Sequence, residues 1–171
     1  MGNPVAHSRS PAIHARFAEL TGEAIAYERR LVPMDGFAQG VRDFVAEGGR
    51  GCNVTVPFKT DAPGLATACS ERVQLAGAAN TLTFRADGSI HADNTDGLGL
   101  VADITRNAGV ALQGARLLLV GAGGAAAGVL GPLLQAGVRH ITIANRTVAK
   151  AEALVASHSA LAALQKAELL A

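Results

Sequence analysis

The amino-acid sequence predicts an α/β protein, because stretches with the apolar period of a helix alternate with short stretches typical of strands. A second observation is the glycine-rich run GAGGAAAG at residues 121–128, which follows an apolar stretch and is typical of a strand–turn–helix unit. The length of 171 residues, 49% of them hydrophobic, allows one large domain or two small ones with a proper core.

Composition narrows the classes of partner. A formal net charge of +1 gives no electrostatic argument for nucleic acid or for an anionic membrane as a partner. No apolar run approaches the ~18–20 residues of a membrane span, and the N-terminus has no pattern of a secretory signal, so we expect a cytoplasmic protein. Cys52 and Cys69 lack metal-site spacing and are expected to be reduced, buried thiols. The histidines are dispersed, so no metal site is expected (His7, His14, His91, His140 and His158).

The first predicted helix is SPAIHARFAELTG, with Ser10 as its N-cap, Pro11 at its first position and Gly22 after its end. Its expected buried face consists of Ile13, Phe17 and Leu20.

The stretch AIAYERRLV is predicted to be a strand that ends before Pro33. A second amphipathic helix follows in DGFAQGVRDFVAEGG, with inward side chains from Phe37, Val41, Phe44 and Val45. Residues 51–57 are predicted to form a strand. Two short helical stretches come next, and then NTLTF and SIHAD flank Asp87 and Gly88 as a hairpin.

In the second half, GLGLVADITRNAG is predicted to be a helix that connects two domains. A strand–turn–helix–strand–turn–helix unit follows it. We place the boundary near residues 97–112 and divide the chain into domains 1–98 and 99–171.

Polar side chains stand at the end of the strand in GCNVTVPFKTDAP, residues 51–63. Asn53 and Thr55 alternate with Val54 and Val56, so the two polar side chains are expected to share one strand face, with the valines packed behind it. The ring of Pro57 prevents further ladder pairing, and Lys59 follows two residues later. A solvent-facing lysine is the commonest state of this residue type, and it is the alternative reading here.

The glycine-rich turn predicts a dinucleotide site. Gly121 permits a tight turn, Gly123 allows close approach of a pyrophosphate, and Ala126 keeps the helix near the strand. The pyrophosphate would lie at the helix N-terminus, where N–H groups and the helix dipole favour anions. Close helix–strand packing is the alternative explanation of these glycines.

The residues after the next strand favour NADP over NAD. NAD sites typically carry an acidic residue there to bind the ribose 2′-hydroxyl, whereas this chain has Asn145, Arg146 and Thr147. Arg146 can bind a 2′-phosphate bidentately, and Lys150 adds a second positive charge one turn later.

Four polar signatures precede the glycine turn: GNPVAHSRSP, NVTVPFK, AGAANT and DNTDG. In this order and together with the turn, they resemble the shikimate dehydrogenase family over nearly the whole chain. The resemblance implies an N-terminal α/β substrate domain and a Rossmann-type dinucleotide-binding domain. It also implies interconversion of 3-dehydroshikimate and shikimate with NADPH, in aromatic amino-acid biosynthesis, by a monomer or homodimer.

The resemblance also implies residue roles. Ser8 and Ser10 would bind the substrate carboxylate, Asn53 and Thr55 would line the pocket, and Asn80 would hold ring hydroxyls. Lys59 and Asp96 would be the catalytic pair. The turn that binds the pyrophosphate would be formed by Gly121, Ala122, Gly123, Gly124 and Ala125. The phosphate on the adenosine ribose would be bound by Asn145, Arg146, Thr147 and Lys150.

The chemistry of carbonyl reduction agrees with a catalytic role for Lys59 and Asp96. A carbonyl reduced by hydride transfer develops alkoxide charge and needs a proton, and a lysine ammonium supplies both a positive field and a proton. Burial and a neighbouring carboxylate shift a lysine pKa in opposite directions, so which residue of the pair is the formal base stays open.

Two departures from the family are expected to matter. Only Met1 precedes the GNP turn, where family members have an apolar strand, and only two strands of the dinucleotide-binding domain are visible, so this domain is expected to be incomplete. The chain is therefore expected to expose apolar sheet faces. Two alternatives stay open: a quinate/shikimate dehydrogenase that uses NAD, and a module that binds shikimate without turnover.

Overall fold

The computed structural model describes residues 1–171, which form two β-sheets and six α-helices. The helices are α1 (Ser10–Thr21), α2 (Phe37–Ala46), α3 (Glu71–Ala76), α4 (Asp96–Ala102), α5 (Gly124–Gln135) and α6 (Val148–Leu164). The strands are β1 (Gly51–Asn53), β2 (Ala68–Cys69), β3 (Thr81–Phe84), β4 (Ile90–Asp93), β5 (Arg116–Val120), β6 (His140–Ala144) and β7 (Glu168–Leu170). The alternation of helices and strands confirms the α/β class.

The first sheet has the strand order β1-β3-β4-β2 and lies in the N-terminal half. The predicted hairpin is confirmed: β3 and β4 are antiparallel, and Gly88 in the turn has a φ of 82°, which a residue with a side chain rarely adopts. A core that includes Val54, Phe58 and Leu82 supports this sheet.

Helix α1 forms where it is predicted, but its packing differs. Arg9 is the N-cap and Ser10 is already helical, whereas Gly22 ends the helix with a φ of 72° as expected. The predicted buried face is wrong, since no residue of α1 is buried. Ile13, Phe17 and Leu20 are 48%, 53% and 65% exposed because no other element covers them. In α2, Phe37 and Val41 are buried and Phe44 is half-buried, but Val45 is exposed.

The predicted strand AIAYERRLV is also wrong, apart from an isolated bridge between Leu31 and Gly2. The backbone N–H and C=O groups of residues 26–29 have no backbone partner. A groove of about 680 Å³ separates residues 24–30 from β1, so the segment has no strand beside it to pair with. The Met1 ammonium lies against this groove and donates to the Asn53 carbonyl at 2.7 Å. Burial lowers its pKa.

Strand β1 is shorter than the predicted strand over residues 51–57. Beyond Asn53, the Val54 N–H still donates to the Asn80 carbonyl at 2.7 Å. The next residues pair with the N-terminus instead, through Thr55 N–H to the Met1 carbonyl and Asn3 N–H to the Val56 carbonyl. Val54 is buried as expected, but Val56 is 63% exposed, so the predicted alternation fails after Val54. The two thiols have no disulfide and are half-buried rather than buried, and burial raises the pKa of Cys52 to about 11.

The second sheet contains three parallel strands in the order β5-β6-β7, one more than predicted. The third strand, β7, is a short segment after α6. One sheet face packs on α5 and α6 through Ile141 and Ile143. The opposite face exposes Leu118 and Val120, at 66% and 77%, as expected for an uncovered sheet.

Helices α4 and α5 join the two halves by close contact at glycines. A Cβ on Gly97 would lie 2.6 Å from the Gly128 carbonyl oxygen and 2.5 Å from the Pro132 ring. Pro132 lacks an N–H, so the Gly128 carbonyl has no helical donor and Gly97 can pack there. The proposed boundary between residues 98 and 99 falls within α4 and stays a prediction.

No helix of the chain combines the length and the apolar character that a membrane crossing requires.

Candidate functional site

Lys59 lies in a single 3₁₀ turn, Phe58–Thr60, directly after Pro57. Phe58 is fully buried and its ring stacks on Phe37 with centroids 4.8 Å apart. The Lys59 carbonyl accepts a hydrogen bond from the Ala79 N–H at 2.8 Å. The turn is therefore held at both its core and its backbone, which fixes the direction of the lysine side chain.

The Lys59 ammonium donates to the Asp96 carboxylate, with Nζ 2.6 Å from Oδ2. The side chains are 15% and 27% exposed, so the pair is more shielded from water than a surface ion pair. Asp96 is the first residue of α4, where the helix dipole favours a negative charge. The pair joins residues 37 positions apart in sequence.

Asn80 fixes the other oxygen of Asp96. Its Nδ2 donates to Asp96 Oδ1 at 2.8 Å, and its Oδ1 accepts from the Thr95 N–H at 3.0 Å and from the Thr81 hydroxyl at 2.8 Å. Every polar atom of this largely buried amide is therefore bonded, and the orientation of the amide is determined by its partners.

A second polar network holds the backbone before Asp96. Fully buried Asn94 donates to the Ala78 carbonyl at 2.9 Å and accepts from the Asp96 N–H at 3.2 Å. Asp93 accepts from Arg72 at 2.7 Å and from Ser70 at 2.6 Å. Burial raises the pKa of Asp93, but the hydrogen bonds from Arg72 and Ser70 outweigh it, so the pKa is lowered. Asp93 is thus held ionised, and it anchors the chain leading to Asp96.

The predicted substrate residues Ser8, Ser10, Asn53 and Thr55 line one small cavity of about 180 Å³. The two serine hydroxyls are 3.2 Å apart. Tyr27, which the motifs did not single out, also lines this cavity, and its hydroxyl donates to Asn53 Oδ1 at 2.6 Å. Lys59, Asp96 and Asn80 are not among the lining residues of this cavity, so the predicted site residues fall into two neighbouring groups.

The glycine turn lies between β5 and α5, as predicted. Gly121 has a φ of 109°, a conformation that favours glycine, and nothing lies within 4 Å of a Cβ added at Gly121 or Gly123. Gly123 is the N-cap of α5, and Ala122, Gly124 and Ala125 complete the turn and the helix start. Ala126 lies in the first turn of α5 and is buried, at 8% exposed. The turn has open space above a helix N-terminus, where an anion is favoured.

The residues after β6 are displayed to solvent. Asn145 donates to the Thr147 carbonyl at 2.8 Å, which shapes the turn before α6. Arg146, Thr147 and Lys150 are exposed, and neither cation forms an ion pair. These two positive charges remain available to a phosphate.

The glycine turn and the lysine turn touch each other. A Cβ added at Gly124 would lie 3.4 Å from the Cβ of Lys59 and 3.9 Å from Thr60. The start of α5 is therefore directly beside the Lys59–Asp96 pair.

Comparisons with known proteins now bear on this arrangement. A family model described as the shikimate dehydrogenase substrate binding domain matches residues 1–82, and one described as shikimate / quinate 5-dehydrogenase matches residues 103–170. A shikimate dehydrogenase (NADP(+)) from Verminephrobacter eiseniae is 80% identical over all 171 residues. The chain belongs to the shikimate dehydrogenase family.

A second relative and two solved structures are also similar to this chain. The shikimate dehydrogenase (NADP(+)) of an Acidovorax species is 74% identical over the whole chain. The crystal structure of shikimate 5-dehydrogenase from Thermus thermophilus in complex with NADP(H) and shikimate is 31% identical, covers 99% of this chain and has a TM-score of 0.83. An Ael1 enzyme from Pseudomonas putida is 45% identical over 98% of this chain, with a TM-score of 0.87. These likenesses confirm the α/β fold of the family.

The chain spans only part of these relatives. It covers 59% of the Verminephrobacter protein, 60% of the Acidovorax protein and 60% of the Thermus chain.

Several residues of the polar site were not singled out from the sequence. Asn94 and Thr95 stand inside the DNTDG signature, and Thr81 ends AGAANT, so position within a motif was a usable signal for these three. Tyr27 carries no such signal, because it lies outside every motif and its contact with Asn53 spans 26 positions.

Proposed function

We propose that the protein containing this chain reduces 3-dehydroshikimate to shikimate with NADPH, in the biosynthesis of aromatic amino acids. The observation that carries this proposal is the Lys59–Asp96 ion pair, with Nζ 2.6 Å from Oδ2, held by Asn80 and lying directly beside the glycine turn. A proton donor next to a dinucleotide turn is what reduction of a carbonyl by hydride transfer requires.

The proposed roles follow from the donors that each side chain presents. The Lys59 ammonium stabilises the charge developing on the carbonyl oxygen and supplies the proton that makes it a hydroxyl. Asp96 accepts a hydrogen bond from that hydroxyl and, with Asn80, keeps the ammonium in position. In the reverse direction the same pair removes the hydroxyl proton.

The cavity of about 180 Å³ that contains Ser8 and Ser10, here called the serine cavity, is proposed to hold the rest of the substrate. Ser8 and Ser10 present two hydroxyls 3.2 Å apart, a spacing suited to the two oxygens of a carboxylate. Asn53 and Thr55 line the same cavity and complete its polar wall.

The turn residues fit NADP. The open space at Gly121 and Gly123 and the N-terminus of α5 suit a pyrophosphate, and Arg146 and Lys150 suit a 2′-phosphate, with Asn145 and Thr147 shaping that turn. When bound, NADPH supplies the hydride. The residues of this chain hold the phosphates and set the distance from the turn to Lys59.

An NAD-dependent quinate/shikimate dehydrogenase is the nearest alternative, and the absence of an acidic residue at positions 145–147 argues against it. For the 171-residue chain by itself, binding of shikimate without turnover is favoured, because the chain spans 59% of the Verminephrobacter relative. We further propose that the whole protein acts in the cytoplasm, as a monomer or homodimer, on small molecules alone.

An absorbance assay of NADPH formation from shikimate and NADP⁺ tests this proposal. It should be run on the 171-residue chain and on a chimera whose remaining length is taken from the Verminephrobacter relative. We expect shikimate-dependent NADPH formation by the chimera, more slowly with quinate or NAD⁺ in place of shikimate or NADP⁺. A chimera that binds shikimate and forms no NADPH would refute the enzyme proposal.

A further inference from the structure

The hydrogen bonds of the polar site form a continuous chain that begins at Tyr27. The Tyr27 hydroxyl donates to Asn53 Oδ1 at 2.6 Å, and Asn53 Nδ2 donates to Thr81 Oγ1 at 3.2 Å and to the Asn80 carbonyl at 3.3 Å. The Thr81 hydroxyl donates to Asn80 Oδ1 at 2.8 Å. Asn80 Nδ2 then donates to Asp96 Oδ1 at 2.8 Å, and Asp96 Oδ2 accepts from Lys59. The chain therefore connects the serine cavity with the Lys59–Asp96 pair.

The first donor, Tyr27, favours one direction for the bonds as far as Asn80 Oδ1, whereas the Asn80 amide is also held by the Thr95 N–H. Tyrosine has one hydroxyl proton, and burial raises the pKa of Tyr27, so the hydroxyl stays protonated. Because the Tyr27 hydroxyl donates to Asn53 Oδ1, the Nδ2 of Asn53 faces Thr81. Nδ2 can only donate, so Thr81 Oγ1 accepts from it and directs its own proton to Asn80 Oδ1. Without the hydroxyl, the Asn53 amide keeps only the two long bonds of its Nδ2, 3.2 Å to Thr81 and 3.3 Å to the Asn80 carbonyl, so its orientation is less firmly held. A reversed amide would accept from Thr81 and take the Thr81 proton away from Asn80.

The position of Tyr27 is fixed by its side chain rather than by its backbone. The N–H and C=O of Tyr27 have no backbone hydrogen bond. Its ring stacks on His14 with centroids 3.9 Å apart and an interplanar angle of 14°, and His14 Nδ1 is 2.9 Å from the Ser10 carbonyl oxygen. The ring thus anchors the segment, and the hydroxyl is free for a separate role. A Tyr27→Phe change separates the two.

We propose that Tyr27 is a positioning residue that orients Asn53 and Thr81, and through them supplies the Asn80 amide beside Asp96 with its hydrogen bond from Thr81. The proposal deepens the proposed function and rests on it for the identity of the ligand. It assigns a role to a residue outside all the motifs. It also explains how the residues of the serine cavity are connected to the Lys59–Asp96 pair.

The first test needs no ligand. Side-chain amide resonances of Asn53 and Asn80 are to be compared by ¹⁵N NMR in the 171-residue chain and in the Tyr27→Phe and Thr21→Val variants. Thr21→Val removes an exposed hydroxyl that bonds only the Phe17 carbonyl at the end of α1. We expect Tyr27→Phe to shift the resonances of both amides, including Asn80, which Tyr27 does not touch, and Thr21→Val to shift neither. Unchanged Asn80 resonances in Tyr27→Phe would overturn the proposal.

The second test is calorimetric titration with shikimate. We expect the Kd to rise about fivefold in Tyr27→Phe, the factor for one net hydrogen bond, and to be unchanged in Thr21→Val. In an Asn53→Ala background, Tyr27→Phe should add nothing, because it acts through Asn53, whereas a merely structural role would give additive losses. A wild-type Kd in Tyr27→Phe would also overturn the proposal. If the wild-type chain and the chimera both fail to bind shikimate, the proposed function is wrong, and the Asn80 resonances alone decide the role of Tyr27.

Discussion

Lys59 reaches Asp96 because the residue before it is a core anchor. Phe58 is fully buried against Phe37, so the turn that carries Lys59 cannot move without opening the first core. Asp96 is also held in place: Asn80 donates to one oxygen of its carboxylate, and Asn94 accepts from its backbone N–H. A preorganised pair of this kind loses little freedom when a ligand arrives.

His158 is one residue that makes the stability of the chain depend on pH. It is fully buried in α6, its Nδ1 lies 3.1 Å from the Leu154 carbonyl oxygen, and its Nε2 has no partner. Burial lowers the pKa of His158 below its usual value of 6.5. The folded state therefore binds fewer protons than the unfolded state, so this contribution to stability is present above pH 6.5 and is lost as the pH falls through the lower folded pKa.

We predict that the His158→Leu variant loses less stability on acidification than the wild-type chain. Urea midpoints measured near neutral pH and about two pH units lower give the comparison. The control is His7→Gln, which removes an exposed histidine and should leave the acid loss at its wild-type size. Equal acid losses in wild type and His158→Leu would show that His158 does not carry the effect.

The sequence predicted which residues belong to the polar site better than it predicted which side chains contact them. Lys59, Asp96 and Asn80 stand in signatures, and the structure brings these three together. Tyr27 escaped prediction, because its partner is distant in sequence and hydrogen bonds between side chains leave no period in the sequence. The roles of all the site residues stay predictions until variants are measured.

Among the elements, α4 and α5 set the geometry between the two halves. They approach closely only because Gly97 and Gly128 lack side chains; a Cβ on Gly128 would lie 2.7 Å from Asn94 Nδ2. Asn94 in turn holds the start of α4, so the contact between the helices also fixes Asp96.

We predict that Gly97→Ala destabilises the chain by about 1–3 kcal/mol, because the new methyl group collides with Pro132 and the Gly128 carbonyl. Gly99→Ala, two positions later in the same helix, has nothing within 4 Å of its Cβ and should be neutral or stabilise by up to about 1 kcal/mol. Free energies of unfolding in urea measure both. Equal stabilities of the two variants would contradict this account of the α4–α5 contact.

Helices, strands and turns were predicted correctly where the signal lies in neighbouring residues. The prediction failed where the structure depends on pairing with a strand that is distant in sequence. The β3–β4 hairpin and the turn at Gly121 were predicted from turn residues and were found. Residues 24–32 have a strand pattern, but the groove of about 680 Å³ separates most of them from β1, and only Leu31 forms a bridge, to Gly2. A strand requires a neighbour along its length. Strand β7 has only three residues, too few for a recognisable alternation, and becomes a strand by pairing with β6.

The whole molecule has two cores joined at α4 and α5, with uncovered apolar surface on α1 and on the β5–β7 sheet. The serine cavity and the Lys59–Asp96 pair lie on the N-terminal side of this joint, and the glycine turn lies on the other. Our central claim is that this arrangement serves carbonyl reduction, with Lys59 as the proton donor.

The most direct measurement is the rate of NADPH formation from shikimate by the chimera with Lys59→Ala, with the Kd for shikimate measured in parallel. We predict a kcat lower by a factor on the order of 10²–10⁴, as for other general acid–base groups, with only a modest rise in Kd. A Lys59→Ala chimera that turns over at close to the unmodified rate would contradict the assignment of Lys59.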